Sequence, residues 1–217
     1  MNDLFQLAKT WVWVLTACLL PSAESWAAIF DVSVDPKGAC AAVEVTGEIQ
    51  PGDERRFVAA ISEARSKAPL RRLYLNSQGG EFLAATAIWQ AIRNSGVPVD
   101  TIVRPRHQCN SACVLLLAAG ARIHVSSAAT VIVHLARNVK TNEPSKIATL
   151  TMGYYLVESG FSRDVVNSLM SLKPGEDLLL TSSNARQFGF NRLKFYGSTD
   201  PPAVPGCGWK GFLSSDR

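Results

Sequence analysis

Apolar and polar residues recur along this chain with two different periods, and the switches between them mark its elements. Val43-Glu44-Val45 alternates as a strand does and closes at Thr46-Gly47-Glu48-Ile49, after which Pro51-Gly52-Asp53 marks a turn and a helix start. Phe57, Val58, Ile61 and Ala64 then fall at helical spacing, with Arg55, Arg56, Glu63 and Lys67 on the other face and Pro69 as the stop. Residues 70–75 predict a second strand, and Asn76-Ser77-Gln78-Gly79-Gly80 a sharp turn. Phe82, Ala85, Ile88, Trp89 and Ile92 define the inward face of the next helix, which Gly96-Val97-Pro98 closes. A third strand is expected over 99–103. The run 114–119 is apolar on every side and predicts a buried helix, with Ser111 on its N-terminus. Residues 122–125 and 130–133 read as short strands, the second ending in His134. A polar loop over 138–146 leads to helices over 147–159 and 163–172, separated by Gly160. Beyond the turn Lys173-Pro174-Gly175, a last short helix is expected over 181–188 with Thr181 as its cap. Strand and helix alternate, which predicts an α/β fold with a mainly parallel sheet wrapped in helices.

The ends of the chain read differently. Residues 1–28 have the layout of a signal peptide: Lys9 near the start, an apolar core over 11–20, and Ser25-Trp26-Ala27-Ala28 for cleavage. The core is too short to span a bilayer. The expectation is export to the periplasm or the medium. Leu15-Thr16-Ala17-Cys18 also has the form of a lipoprotein site, and an uncleaved N-terminal anchor is the third option. One domain is expected over 29–198, followed by a Pro/Gly-rich tail over 199–217. The net charge of +4 comes without any Lys/Arg run, so nucleic acid is not an expected partner. Beyond Cys18 the chain holds Cys40, Cys109, Cys113 and Cys207, an even set that suits disulfides in an exported protein. Three pairings exist. Helical i,i+4 spacing would put two Cα atoms about 6 Å apart, which favours Cys109–Cys113 and leaves Cys40–Cys207. A four-cysteine zinc site lacks a second close pair, and no metal is expected; free buried thiols are the remaining option.

Candidate chemistry centres on Ser111. A serine hydroxyl needs a base, an orienting acid and an oxyanion site before it can take part in acyl transfer. His134, at the end of an apolar strand, is the base candidate; His124 lies within a strand and His107 in a loop with Arg104 and Arg106. Gly79-Gly80 lets backbone N–H groups face a ligand, and the Ala112 N–H is a second donor. No Gly-x-Ser-x-Gly elbow surrounds Ser111, and the acid candidates follow the histidine, an order unlike that of α/β-hydrolases.

Gly47-Glu48-Ile49, Leu73-Tyr74-Leu75-Asn76-Ser77-Gln78-Gly79-Gly80, Asn110-Ser111-Ala112 and Val131-Ile132-Val133-His134 together resemble the landmarks of Clp-type serine peptidases in the ClpP/crotonase superfamily. The resemblance runs from about Val43 to Phe190. It implies a single-domain spiral of ββα units, with Ser111 as nucleophile, His134 as general base, and the N–H groups of Gly80 and Ala112 as the oxyanion hole. Leu180-Thr181-Ser182-Ser183-Asn184-Ala185-Arg186-Gln187-Phe188-Gly189 matches the family segment that follows the triad acid, and counting back three from Leu180 gives Asp177, with Glu176 and Asp164 as alternatives. Three departures stand out: Gln78 replaces the proline usual before the glycines, the stretch from His134 to Asp177 is short, and Cys109 and Cys113 bracket the serine. The expected protein is an exported serine hydrolase, a peptidase acting on peptides or unfolded protein. It would need no cofactor, would form a homo-oligomer, and would have no ATP-dependent unfoldase partner outside the cytoplasm. The rival readings are a catalytically inactive ClpP-like envelope protein and a crotonase-like enzyme acting on acyl-thioesters.

Overall fold

A computed structural model describes residues 27–138, 141–197 and 201–209. The expected signal peptide therefore lies almost wholly outside the described residues. Only Ala27 and Ala28 of it are seen: Ala27 forms a bridge to Glu48, and Ala28 is fully buried with its N–H donating to Asp53.

The chain runs β1 (Ile29–Val34), β2 (Ala41–Ile49), α1 (Asp53–Lys67), β3 (Leu70–Gly80), α2 (Phe82–Arg93), β4 (Asp100–Val103) and α3 (Cys113–Ala118). It continues with β5 (Ile123–Ser126), β6 (Ile132–His134), α4 (Lys146–Glu158), α5 (Asp164–Ser171), β7 (Asp177–Leu179) and β8 (Leu193–Tyr196). Six strands form one sheet in the order β1-β2-β3-β4-β5-β8, parallel except for the antiparallel β1–β2 pair. β6 and β7 form a separate antiparallel ribbon. The α/β expectation holds: this is one mixed α/β domain built on a mainly parallel sheet.

Several local expectations are corrected. β3 does not turn at Asn76 but runs on beside β2, through a register shift between Thr46 and Glu48, as far as Gly80, so the two glycines end a strand. The run 181–188 makes turns rather than a helix; Thr181 donates its N–H to Asn184 Oδ1 at 2.7 Å. β1 was not expected. Its alternation of Phe30, Val32 and Val34 toward the core with Ile29, Asp31 and Ser33 outward is nevertheless period two.

Each sheet face has its own chemistry. Val43, Val45, Leu73, Leu75, Val103, Ile123 and Val125 join the helices in the main core. α1 contributes Phe57, Ala60, Ile61 and Ala64, and its ends carry Asp53 and Glu54 at the start and Arg65 and Lys67 at the finish, matching the helix dipole. α3 is buried along its whole length, and Arg192 caps the chain just beyond it: Nη2 donates to the carbonyls of Gly120 and Ala121, both at 2.9 Å, and Nη1 to that of Ser159 at the end of α4. One guanidinium thus satisfies helix-end acceptors that have no intrahelical partner.

The opposite sheet face carries Ala42, Tyr74 and Ile102 under Trp209, together with Arg72, which is only 2% exposed. Arg72 Nη1 donates to Tyr74 Oη at 2.9 Å, Nη2 donates to the Pro202 carbonyl at 2.6 Å, and the guanidinium lies 4.9 Å from the Trp209 ring centre. The segment 201–209 is therefore packed on the sheet. Cys207 is joined to Cys40 with a Cα–Cα separation of 5.4 Å, and Asp35 accepts from the Gly208 N–H. Burial alone would raise the Asp35 pKa, but the N–H groups of Gly208, Cys40 and Ala39, with Lys37, outweigh it and hold the carboxyl below its usual value.

Two histidines give the fold a pH dependence. Burial is the first cause that lowers the pKa of His107, with Arg104 and Arg106 adding to it against Glu44. Burial likewise lowers His124, aided by Arg122, Lys194 and Arg72 against Asp100. Above the ordinary value of 6.5 both rings are neutral whether the chain is folded or not, and stability is at its full value. Below it the unfolded chain takes up protons first, so stability falls as pH drops through the lowered folded values. Thermal melts between pH 7 and pH 5 should show a falling Tm, with a shallower slope in the His107→Gln/His124→Gln variant.

Candidate active site

The site forms where β3, the turn before α3, and the β6–β7 ribbon meet. At the end of β3, Gly80 lies so close to Ile49 that a Cβ would collide with its carbonyl oxygen. A Cβ on Gly79 would lie 2.5 Å from the Asn110 carbonyl oxygen and 2.8 Å from Ser111 Cβ. Both glycines have positive φ, 97° and 137°. The Gly-Gly pair thus serves two ends at once, a left-handed backbone and a close approach to the serine turn.

Ser111 is not the cap of α3. The helix begins two residues later at Cys113, and Ser111 lies in the left-handed region with φ 52°. Such a conformation costs a non-glycine residue roughly 1–3 kcal/mol. Its neighbours hold it there. Asn110 N–H donates to the Ser77 carbonyl at 3.0 Å, and Ser111 N–H donates to the Ile132 carbonyl at 2.9 Å. Asn110 Oδ1 in turn accepts from Ile132 N–H at 3.0 Å. The serine is slung between β3 and β6 by hydrogen bonds to both. Cys109 also lies in a bridge with Ser77, so the Cys109–Cys113 pair joins a strand-like residue to a helix start. Its Cα–Cα separation is 5.2 Å, as the pairing requires, although the helical spacing invoked from sequence is not how it arises.

Gly80, Ser111, Ala112 and His134 line one cavity of about 150 Å³. Phe82, Ala136 and Met152 give it an apolar wall, and Arg137 stands at the same cavity. Among the described residues, no group accepts a hydrogen bond from the Ala112 N–H and the Ser111 hydroxyl has no partner. Here a backbone donor and a serine hydroxyl, both unengaged, share a wall, which is the disposition an oxyanion site requires.

His134 ends β6, and Asp177 begins β7 directly opposite it in the antiparallel register. Facing residues project to the same side of such a pair, with Cβ atoms roughly 5 Å apart. Asp177 is exposed, and the imidazole Nδ1 is bonded instead to the Leu135 carbonyl at 2.8 Å. A carbonyl at Nδ1 makes that nitrogen the N–H donor and leaves Nε2 as the basic atom. The other acid candidates are engaged in their own turns: Glu176 accepts from the Lys173 N–H at 2.9 Å, and Asp164 from the Ser162 hydroxyl at 2.7 Å. His107 and His124 do not line this cavity.

The structure gives places at the site to residues for which the sequence suggested none. Asn110 ties the serine turn to β6, Leu135 supplies the carbonyl at His134, and Phe82 and Met152 shape the cavity. Asn110 carried a local signal, since a short amide beside a turn residue often bonds nearby backbone. The Leu135 carbonyl carried none. Among the described residues no group of three or more His, Cys, Asp or Glu is placed to hold a metal ion.

Comparison with known proteins agrees with the fold. The Clp protease family model matches residues 41–190. Among solved structures, an asparagine-to-aspartate mutant of ClpP1 from Listeria monocytogenes is similar with a TM-score of 0.55 at 17% identity, covering 71% of this chain and 91% of that one. ClpP1 from Listeria monocytogenes itself gives a TM-score of 0.53 at 16% identity, with the same coverage of 71% and 91%. No curated protein matches.

Proposed function

This chain belongs to the Clp protease family, and on that premise we propose that it is a serine peptidase in which Ser111 is the nucleophile and His134 the general base. Ser111 Oγ attacks the scissile carbonyl as its proton passes to His134 Nε2, and the N–H groups of Gly80 and Ala112 receive the negative charge that builds on oxygen. The C–N bond then breaks, the His134 proton goes to the leaving amine, and water hydrolyses the acyl-serine by the reverse relay. Leu135 fixes the tautomer at Nδ1, and Asp177 across the ribbon stabilises the imidazolium. The single observation that carries this reading is the cavity wall on which an unpartnered Ser111 hydroxyl, an unpartnered Ala112 N–H and His134 meet.

Small or already unfolded peptides are the substrates that a cavity of about 150 Å³ suits, and no ATP-dependent unfoldase is invoked. Export belongs to the same reading, because two disulfides persist in oxidising surroundings. So does self-association: Ile147, Leu150 and Tyr154 lie on one stripe of α4 and are 80%, 47% and 60% exposed, an apolar surface suited to another copy of the chain.

The test is covalent labelling of the oxidised protein by a fluorophosphonate, with the adduct located by mass spectrometry. A single adduct on Ser111, absent from Ser111→Ala and nearly absent from His134→Ala, is expected. A folded protein that takes up no probe would overturn the reading.

A further inference from the structure

Ser111 is the middle residue of a five-residue loop closed by the Cys109–Cys113 disulfide, and both cysteines are fully buried. The two ends of that loop belong to different parts of the fold. Cys109 is fixed to the sheet side by its bridge to Ser77 and by its N–H donating to the Thr130 carbonyl at 2.9 Å. Cys113 opens the buried helix α3, and its N–H donates to the Asn110 carbonyl at 3.0 Å. Between them Ser111 holds its positive φ with hydrogen bonds on one side and the close approach of Gly79 on the other.

We propose that the Cys109–Cys113 disulfide is a positioning element for the nucleophile: by joining the strand anchor to the helix start, it keeps Ser111 in the left-handed conformation that it holds in the cavity it shares with His134. The proposal rests on the reading of Ser111 as nucleophile. With the cross-link cut, only the hydrogen bonds to Ser77 and Ile132 oppose the strain of an L residue at positive φ, and Ser111 relaxes toward negative φ. That rotation carries Oγ away from the cavity wall it shares with His134 and Ala112. The oxidised chain is then the active one. Reduction by a dithiol, which converts the pair to two thiols and is itself oxidised to a disulfide, lowers activity without removing any group that touches substrate. The same bond in a merely structural role would change stability and leave the coupling between Ser111 and His134 intact.

The experiment compares three oxidised proteins: the unaltered chain, Cys109→Ala/Cys113→Ala and Cys40→Ala/Cys207→Ala. For each, the fluorophosphonate labelling rate at Ser111 and the thermal melt are measured, alone and with His134→Ala added. In the Cys109→Ala/Cys113→Ala protein a cooperative melt is expected, with labelling slowed about tenfold or more, a loss in keeping with misplaced reacting groups. Adding His134→Ala should cost this protein much less than it costs the unaltered chain. The Cys40→Ala/Cys207→Ala protein should melt lower yet label at nearly the unaltered rate. Labelling at the unaltered rate without Cys109 and Cys113, or an undiminished effect of His134→Ala there, would overturn the proposal. Should that variant not fold, the Cys40→Ala/Cys207→Ala protein is reduced by a dithiol and reoxidised, with thiol alkylation reporting the state of the remaining pair. Labelling lost on reduction and regained on reoxidation supports the proposal, and a rate that ignores the redox state overturns it. Absence of any Ser111 adduct in the unaltered chain would instead remove the nucleophile reading, and this proposal with it.

Discussion

Replacing His134 with alanine is expected to slow acyl transfer at Ser111 by about 10⁴- to 10⁶-fold, whereas Asp177→Asn should cost on the order of 10- to 10²-fold. The contrast follows from how the imidazole is held. In a triad the acid fixes the tautomer and stabilises the imidazolium that forms, and a wrong tautomer is the main injury when the acid becomes an amide. Here the Nδ1 proton is directed to the Leu135 carbonyl at 2.8 Å, so the tautomer survives loss of the carboxylate. What remains for Asp177 is its negative charge, opposite His134 in the β6–β7 register but exposed to water, where a charge acts weakly. The readouts are hydrolysis of a small activated ester and the labelling rate at Ser111, both on folded protein. A loss for Asp177→Asn as large as that for His134→Ala would mean that the carboxylate displaces Leu135 at Nδ1 when substrate binds.

The contrast also shows where sequence reading succeeds and where it stops. The alternation of strand and helix and the Gly79-Gly80 pair are local patterns, and they were legible. The conformation of Ser111 was not. An apolar run preceded by serine reads as a capped helix, and it is contacts from Ser77 and Ile132, distant along the chain, that hold Ser111 outside the helix in a left-handed turn. β7 has three residues, too few for a period to show, and is defined by its pairing with β6. β1 had a readable period but adjoins the expected leader, whose boundary hid it. Arg72 is the clearest case of non-local information: an arginine in a strand reads as exposed. It is buried because Pro202 and Trp209, from the other end of the chain, cover it. Arg192 is similar, since its acceptors lie in two helix ends that only the fold brings together.

The largest stability effect should come from that same covering segment. Cys40 and Cys207 are 167 residues apart, while Cys109 and Cys113 are 4 apart. Chain entropy removed from the unfolded state grows with the logarithm of loop length, which gives about 5 kcal/mol for the long loop against about 2 kcal/mol for the short one. For a domain of this size 1 kcal/mol shifts Tm by roughly 2–4 °C, so Cys40→Ala/Cys207→Ala should lower Tm by about 10–20 °C. The loss is not confined to entropy. The cystine holds down the segment whose Gly208 N–H bonds Asp35 and whose Pro202 and Trp209 shield Arg72. Released from it, the guanidinium recovers its hydration, which weakens the hold of the segment on the sheet still further. Adding Arg72→Leu separates the two contributions. If the buried cation opposes docking of the segment, leucine should restore part of the lost Tm; if its bonds to Tyr74 and Pro202 outweigh its desolvation, Tm should fall again. Differential scanning calorimetry of the single and combined variants reads both. A Cys40→Ala/Cys207→Ala protein that melts within a few degrees of the unaltered chain would show that segment 201–209 is held by its non-covalent contacts alone.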